Sequence, residues 1–578
     1  MFFLFSAFTL SSYASIDIGS QYIRIALSSI TAEAKMALNN DNKILTPSAV
    51  AFKTDKPLDR HLSNEDGYDS IPKYGDDALK YLKYHPNSGT DRVTYFLGRY
   101  NLEHSTPPVA NTTEMLSILL TKLFMNQQYA GLEGISLCVP RYFTLSQREC
   151  LTQAMYLARL PFYGIFDDDQ STIQLYNVKF YHRFLQKKRN VLFVDVGAAG
   201  ARAYRVEFST IKATPVAVQT SYIWSEKTGG FSFNSKISKV KKVTESKAQK
   251  LLIQSGNSFT KVLKNELNEL SNVVKEAITG QIDEVQIIGS ASRFNFVQEA
   301  IKNAVNSVGY VKNMKNVKNI EILRELPASD SIAIGSLHFL NALLNVSRYK
   351  LVELHQSPIY TISVECGGVI EDYCVKNNNC SQYIVLHSTI CEKAVFFAEE
   401  NEVPIGCGNI LKQYSLKNIS KFDYELNDEL NGLFFMDNPT TTVLSAAWCS
   451  VPEKTEMMKI INSFERDDEK CETIEIEPSP LTDLQNKEKY EFVQIVLKGD
   501  DDRKLLGDLK SKLDNYANIF KNSLKNVQSE QTNDIDCFEM IEKAAKFIEH
   551  GTITEIRSLL KKFEEYFKLF GIDEYLKK

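Results

Sequence analysis

Beyond its first fourteen residues, the chain has no stretch of the ~18 uninterrupted apolar residues that a membrane helix needs. A membrane span is therefore not expected. It also has no basic excess: 67 Lys and Arg stand against 72 Asp and Glu, for a formal net charge of −5. That balance leaves no electrostatic footprint for nucleic acid. No Cys-x-x-Cys pair occurs, so a structural zinc site is not expected. Met1 to Ala14 carries no charged side chain. It reads as the apolar core of a signal peptide (residues 1–14), with Ser12 and Ala14 as the small residues before a cleavage point. The other reading is a buried strand leading into Asp17.

What is present is ordinary globular composition, 43% hydrophobic and 24% charged over 578 residues. Such a length exceeds one core and suggests roughly three to four domains. Four Asn-x-Ser/Thr triplets, at Asn111, Asn345, Asn379 and Asn418, agree with a secretory route. So do the cysteines Cys366, Cys374, Cys380, Cys391, Cys407 and Cys449, which could pair in an oxidising lumen. Free buried thiols are the alternative.

Three short stretches concentrate chemistry. They are Ile16-Asp17-Ile18-Gly19-Ser20-Gln21, Val194-Asp195-Val196-Gly197-Ala198-Ala199-Gly200 and Ile287-Ile288-Gly289-Ser290-Ala291-Ser292-Arg293. Each is a β-branched run ending in a glycine turn, where backbone can approach a phosphate closely. Asp17 and Asp195 stand just ahead of their turns and could hold a hydrated Mg²⁺. Two such turns suggest a duplicated nucleotide-binding fold with a cleft between its halves.

Strands alternate with helical patterns from Ser15 to about Leu343, which predicts α/β layers over 15–344. Expected helices include Leu116 to Tyr129, Ser146 to Arg159 and a closing one over Pro327 to Leu343. After a linker at 345–354, short β-rich segments predict an antiparallel β-sandwich over 355–464. These segments include Tyr360–Glu365, Tyr383–His387 and Ala394–Ala398. A polar connector follows at 465–488, and apolar residues at 3, 4 and 7 spacing predict a C-terminal helical bundle at 489–578.

This order resembles the heat shock protein 70 family, whose nucleotide domain has the actin-like fold. Several motifs carry the resemblance. Asp17-Ile-Gly-Ser20 is similar to the family's first phosphate loop, and Leu45-Thr-Pro-Ser-Ala-Val-Ala-Phe52 to the strand after it. Val139-Pro-Arg-Tyr-Phe-Thr-Leu-Ser-Gln-Arg148 is the most specific match. Phe96-Leu-Gly-Arg99 and Thr228-Gly-Gly230 resemble two further landmarks.

The resemblance implies ATP or ADP and Mg²⁺ as ligands, with the metal held through water by Asp17 and Asp195. It implies nucleotide contacts from Asp17, Gly19, Ser20, Gln21, Asp195, Gly197, Ala198, Gly229, Gly230, Gly289, Ser290 and Arg293. Remnants of an adenosine clamp would be Glu245 and Lys250. The family's catalytic carboxylate would fall in Asp167-Asp168-Asp169, with Asp168 the choice and a solvated acidic turn the alternative.

Departures from the pattern bear on activity. Ala198, Ala199 and Gly200 stand where the second phosphate loop has Gly, Gly and Thr. Thr94, or Tyr95 in a register one residue later, stands where the family has its catalytic lysine. Neither supplies the cation that phosphoryl transfer uses for charge stabilisation. Only residues 231–281 are available for the lobe that caps the base, and Ser329 stands where an acid is typical.

The signal-like start, the connector Arg348-Tyr-Lys-Leu-Val-Glu-Leu354 and Asp168 resemble the large endoplasmic-reticulum branch, related to heat shock protein 110. The chain is shorter than typical large members, has no long acidic insertion and ends Glu574-Tyr-Leu-Lys-Lys578, without a retrieval signal. The branch implies a lumenal chaperone of the endoplasmic reticulum or secretory pathway. Its partners would be the main lumenal heat shock protein 70-type chaperone and unfolded polypeptides. It would promote nucleotide exchange on the former, bind nucleotide weakly and act at most as a weak ATPase. The alternatives are an active ATP-driven folding chaperone, or a passive holdase whose cleft holds no nucleotide.

Overall fold

The structure, a computed structural model, describes residues 12–29, 34–53, 72–99, 110–125, 129, 131–311, 321–366, 368–376, 383–387, 393–399, 401–415, 431–436, 446–451, 471–474, 493, 505, 507–522, 535–550 and 553–569. One compact unit comprises residues 1–51 and 73–486, and a second comprises 52–72 and 487–578.

Two sheets of one topology dominate the first unit. In one, the strands are β1 (Ser12–Ile18), β2 (Tyr22–Ser29), β3 (Lys35–Met36), β4 (Leu132–Val139) and β5 (Phe162–Asp167), in the order β3-β2-β1-β4-β5. The other contains β6 (Arg189–Val196), β7 (Ala201–Ile211), β8 (Thr214–Ser225), β9 (Glu284–Ile288), β10 (Glu321–Leu323) and β11 (Glu353–Gln356). Its order is β10-β9-β6-β7-β8-β11. In each sheet the leading strand, β1 or β6, pairs antiparallel with the next strand and parallel with a later one. The two sheets thus repeat one arrangement, antiparallel on one side of the leading strand and parallel on the other, as the duplicated loops predict. Mixed α/β sheets of this kind, with helices around them, fit an actin-like nucleotide domain.

Both leading strands are buried on both faces, as central strands are: apolar residues fill one face of β1 with Ser15 and Asp17 on the other, and in β6 Val191 and Phe193 are buried opposite Leu192, Val194 and Val196. Ile16, Ile18, Val194 and Val196 are all buried. Helix α1 (Asp168–Phe184) follows β5 but packs on the second sheet, with the Tyr176 ring 4.5 Å from Phe208 and 5.6 Å from Phe193.

Ser15 to Leu27, which reads as a strand from its apolar and β-branched residues, is a hairpin, because Gly19 to Gln21 turn the chain between β1 and β2. Ser12 to Ala14 belong to β1, and Ala14 is fully buried. Cleavage after Ala14 would remove three of this strand's seven residues. The helices expected near 116 and 146 run Thr112–Phe124 and Leu145–Leu157. The first is capped by Asn111, whose side chain accepts from the Glu114 amide at 2.9 Å.

Part of the expected linker is ordered against the second sheet, since β11 pairs in parallel with β8 from Val216↔Glu353 to Gln219↔Gln356. Further on lie two four-stranded sheets. One contains Ile362–Cys366, Val369–Cys374, Lys393–Ala398 and Ile410–Ser415, all antiparallel. The other contains Tyr383–His387, Asn431–Met436, Ala446–Val451 and Cys471–Ile474. Cys471–Ile474 corrects the expected polar connector, because it is a strand paired with Ala446–Val451. Cys407 is a buried free thiol, so it is not paired as the secretory reading allowed. Of the triplets, Asn379 and Asn418 lie outside the described residues.

In the second unit, helices at 507–522, Ile535–His550 and Ile553–Leu569 share buried residues including Leu513, Phe520, Met540, Ile556 and Phe563. The Phe520 and Phe563 rings lie 5.4 Å apart, edge to face.

Candidate functional site

The first turns of the two hairpins face one cavity of about 80 Å³. Ten of the expected site residues line it: Asp17, Gly19, Ser20, Gln21, Asp168, Asp195, Gly197, Ala198, Gly289 and Ser290. Pockets for drug-sized ligands run from roughly 300 to 1,000 Å³, so this one is small. Gly289 has φ +88°, and a Cβ there would fall 2.2 Å from Asp195 Oδ1 and 2.4 Å from the Val196 carbonyl oxygen. Gly19 is equally constrained, with the Tyr22 carbonyl oxygen 2.4 Å from where its Cβ would stand. Both glycines are required for close approach.

The other expected residues lie elsewhere. Gly229 and Gly230 support the second turn from behind, the Gly230 amide donating to the Gly197 carbonyl at 3.0 Å and the Phe231 amide to the Ala198 carbonyl at 2.7 Å. Arg293 donates to Ser329 Oγ at 2.9 Å and lines a second cavity of about 340 Å³ with residues 252–258 and 294–296. Glu245 is ion-paired with Arg92, and Lys250 is exposed on helix Glu245–Ser255. Neither lines either cavity.

Thr94 is a buried structural residue. Its hydroxyl donates to the Gly19 carbonyl at 2.7 Å and its amide to Ser48 Oγ at 3.1 Å, so it fixes the first turn. Tyr95 packs edge-on to Phe231.

The three adjacent acids are buried, which removes the solvated-turn reading. Each has its own arginine: Asp167 pairs with Arg148 at 2.6 Å, Asp168 with Arg202 at 2.9 Å and Asp169 with Arg141 at 3.3 Å. Burial pushes the Asp168 carboxyl up to about 7, opposed by Arg202 and reinforced by Asp169 and Asp195. Of the three, only Asp168 lines the cavity.

Two residues of the site were not anticipated. Arg24 and Arg202 both line the cavity. Arg24 is the direct cross-strand partner of Asp17, and Arg202 that of Asp195. Arg24 Nη1 lies 3.0 Å from Asp17 Oδ2, and Arg202 Nη2 pairs with Asp195 Oδ2. Each also crosses to the other half. Arg24 Nη2 donates to Ser290 Oγ at 3.0 Å, and Arg202 Nε lies 2.9 Å from Asp168 Oδ2, an ion pair without hydrogen-bond alignment. Burial raises the Asp17 carboxyl above the usual range even against Arg24. Burial works against the charge on Arg202, but Asp168 and Asp195 more than offset it. A repeated Asp-x-Gly-x-x-x-x-Arg, at Asp17 to Arg24 and Asp195 to Arg202, was the sequence signal for these pairs.

This donor set does not fit a hydrated Mg²⁺. The carboxylates that would face its waters already face guanidinium groups. Among the described residues, no three Asp, Glu, His or Cys side chains converge as a metal's ligands would.

No family model matches the chain. It is similar to Hypoxia up-regulated protein 1 of Xenopus laevis, 20% identical over 448 residues, which cover 64% of this chain and 67% of that protein. The proteins of the same name from Danio rerio and Mus musculus are also 20% identical, over 437 and 438 residues, 62% of this chain. These matches span only 43% and 42% of those two proteins' lengths. Loop motifs, duplicated sheets and these relatives converge: over most of its length the chain resembles the large endoplasmic-reticulum branch of the heat shock protein 70 family.

Proposed function

We propose that the protein is a heat shock protein 70-like chaperone of the endoplasmic-reticulum lumen. It holds unfolded polypeptides and accelerates nucleotide release from the main lumenal chaperone of that family. The observation that carries this reading is a duplicated two-sheet scaffold in which Thr94, one of the two residues that the resemblance puts at the lysine position, is a buried support of the first turn. Hydrolysis would need a cation facing the terminal phosphate, and Thr94 offers none. The scaffold then serves as a rigid body for binding another chaperone.

In this reading, residues 355–464 form an antiparallel sandwich that takes extended unfolded segments. The helical region 489–578 forms a bundle that grips the partner. The test is release of a fluorescent nucleotide from the partner chaperone, with and without this protein. Acceleration rising with its concentration is expected, and an unchanged rate at saturation rejects the exchange role.

A second reading, a passive holder of unfolded chains, is favoured by the small size of the cleft cavity. It predicts suppression of client aggregation that neither ATP nor the partner chaperone changes.

A further inference from the structure

We propose that Arg24 and Arg202 are built-in counter-cations that replace a divalent metal in this cleft, so that the protein binds no Mg²⁺ there and holds its two halves together without nucleotide. The proposal rests on the reading of the cleft as a retained nucleotide scaffold. It concerns what now fills that scaffold.

Four observations carry it. First, the pairing is built twice by the same device. In each hairpin the arginine sits directly across from the aspartate, at Asp17↔Arg24 and Asp195↔Arg202. Chance placement of one arginine would not recur in the same register on both sheets. Second, the charge is equivalent. Two guanidinium groups bring the same two positive charges as one Mg²⁺, and a guanidinium cannot escape burial by losing its proton. Third, both side chains are buried, 8% exposed for Arg24 and 9% for Arg202. A buried ion pair that loses one partner leaves an uncompensated charge, so neither arginine can swing away freely. Fourth, each arginine crosses the cleft, Arg24 to Ser290 and Arg202 to Asp168. They tie the first sheet's β2 to the loop after β9, and the second sheet's β7 to the start of α1. The remaining room is about 80 Å³, below the roughly 300–1,000 Å³ of pockets for drug-sized ligands.

The charges disfavour binding of the metal on its own. A hydrated Mg²⁺ prefers near-ideal octahedral oxygen ligands at about 2.0–2.1 Å and keeps several waters. Placing free hydrated Mg²⁺, with no triphosphate to bring negative charge, beside Asp17 and Asp195 would set two further positive charges against two fixed guanidinium groups.

The experiment uses the full chain alone, with no partner chaperone, so its outcome is independent of the exchange assay. Thermal unfolding is followed with MgCl₂ alone, ATP in EDTA, and ATP with MgCl₂. For the wild type, Tm is expected to agree within about 1 °C between matched samples with and without Mg²⁺. In Arg24→Met and Arg202→Met the freed carboxylates face the cavity uncompensated. Tm is expected to fall by several degrees, and millimolar MgCl₂ to restore a measurable part of it. A wild-type Tm that rises by several degrees with Mg²⁺ and returns in EDTA overturns the proposal. So does a folded Arg→Met variant with no response to Mg²⁺. Should both variants fail to fold, direct calorimetric titration of the wild type with MgCl₂ decides: absence of a binding isotherm upholds the proposal, and a saturable one overturns it.

Discussion

The contact between Arg99, Glu226 and the Ile405 backbone allows a sharp energetic test. The Arg99 and Glu226 side chains are 1% and 4% exposed and pair through two nitrogens and two oxygens. Arg99 Nη1 also donates to the Ile405 carbonyl at 2.8 Å, and the Ile405 amide donates to Glu226 Oε2 at 3.2 Å. The guanidinium stacks over Tyr95 at 4.3 Å. Glu226→Gln keeps the shape but removes the countercharge, leaving a buried cation. Breaking such a pair costs about 3–5 kcal/mol, and Arg99→Met should cost a similar amount by stranding Glu226. The double variant Arg99→Met, Glu226→Met strands neither charge and should cost less than either single change. Urea unfolding followed by tryptophan emission measures this, because Trp224 lies two residues from Glu226 and stacks on Tyr142 at 4.4 Å. Cys407 gives a second readout. Its thiol is buried and pushed up to about 11, so labelling at neutral pH should be slow and should quicken in Glu226→Gln. Additive costs, or single changes below about 1 kcal/mol, would refute the reasoning.

Three further outcomes concern the cleft, and a glycine outside it serves as a control. Gly289→Ala should cost roughly 2–4 kcal/mol, through left-handed strain plus the clash with Asp195. Gly131→Ala, at φ +80° with nothing within 4 Å, should cost only about 1–2 kcal/mol in the same denaturation assay. Thr94→Lys, which restores the family's residue type, should yield no ATP hydrolysis by phosphate release. It should also lower stability by roughly 2–4 kcal/mol, because it buries an ammonium where Thr94 supports the first turn. Asp168 titrates near 7 when folded, against about 3.9 for a free aspartate, so the folded chain keeps a proton that the unfolded chain releases. Its contribution to stability therefore falls as pH rises from about 4 to about 7. Asp168→Asn should flatten the stability profile across that window by up to about 1.4 kcal/mol per pH unit.

The glycine turns were legible because β-branched runs broken by Asp-x-Gly have few alternatives to a strand and a tight turn. Arg24 and Arg202 were not read as partners of Asp17 and Asp195. Their pairing depends on hairpin register, which emerges only when the turn length places position i+7 opposite i. Asp167, Asp168 and Asp169 invite a solvated reading because their neutralising arginines come from distant segments, Arg148, Arg202 and Arg141. Glu245 and Lys250 lie in a polar helix with no motif of its own to fix their position against the turns. Their helix is held by Arg92 pairing with Glu245, away from the cavity lining. Cys471-Glu-Thr-Ile474 carries no clean two-residue alternation, so its strand is set by pairing with Ala446–Val451 and not by a pattern legible within the segment.

The strand Glu353–Gln356 joins its neighbour through main-chain pairing, and Glu353 and His355 are exposed. Gln356 adds side-chain bonds, donating to Asp169 Oδ2 and Gln219 Oε1 at 3.0 Å each, so affinity for that edge is blind to side-chain identity only at the two exposed positions. Most drift at these two positions should pass unnoticed, whereas loss of Gln356, a residue that removes a peptide N–H, or an insertion that breaks the pairing should loosen the seam.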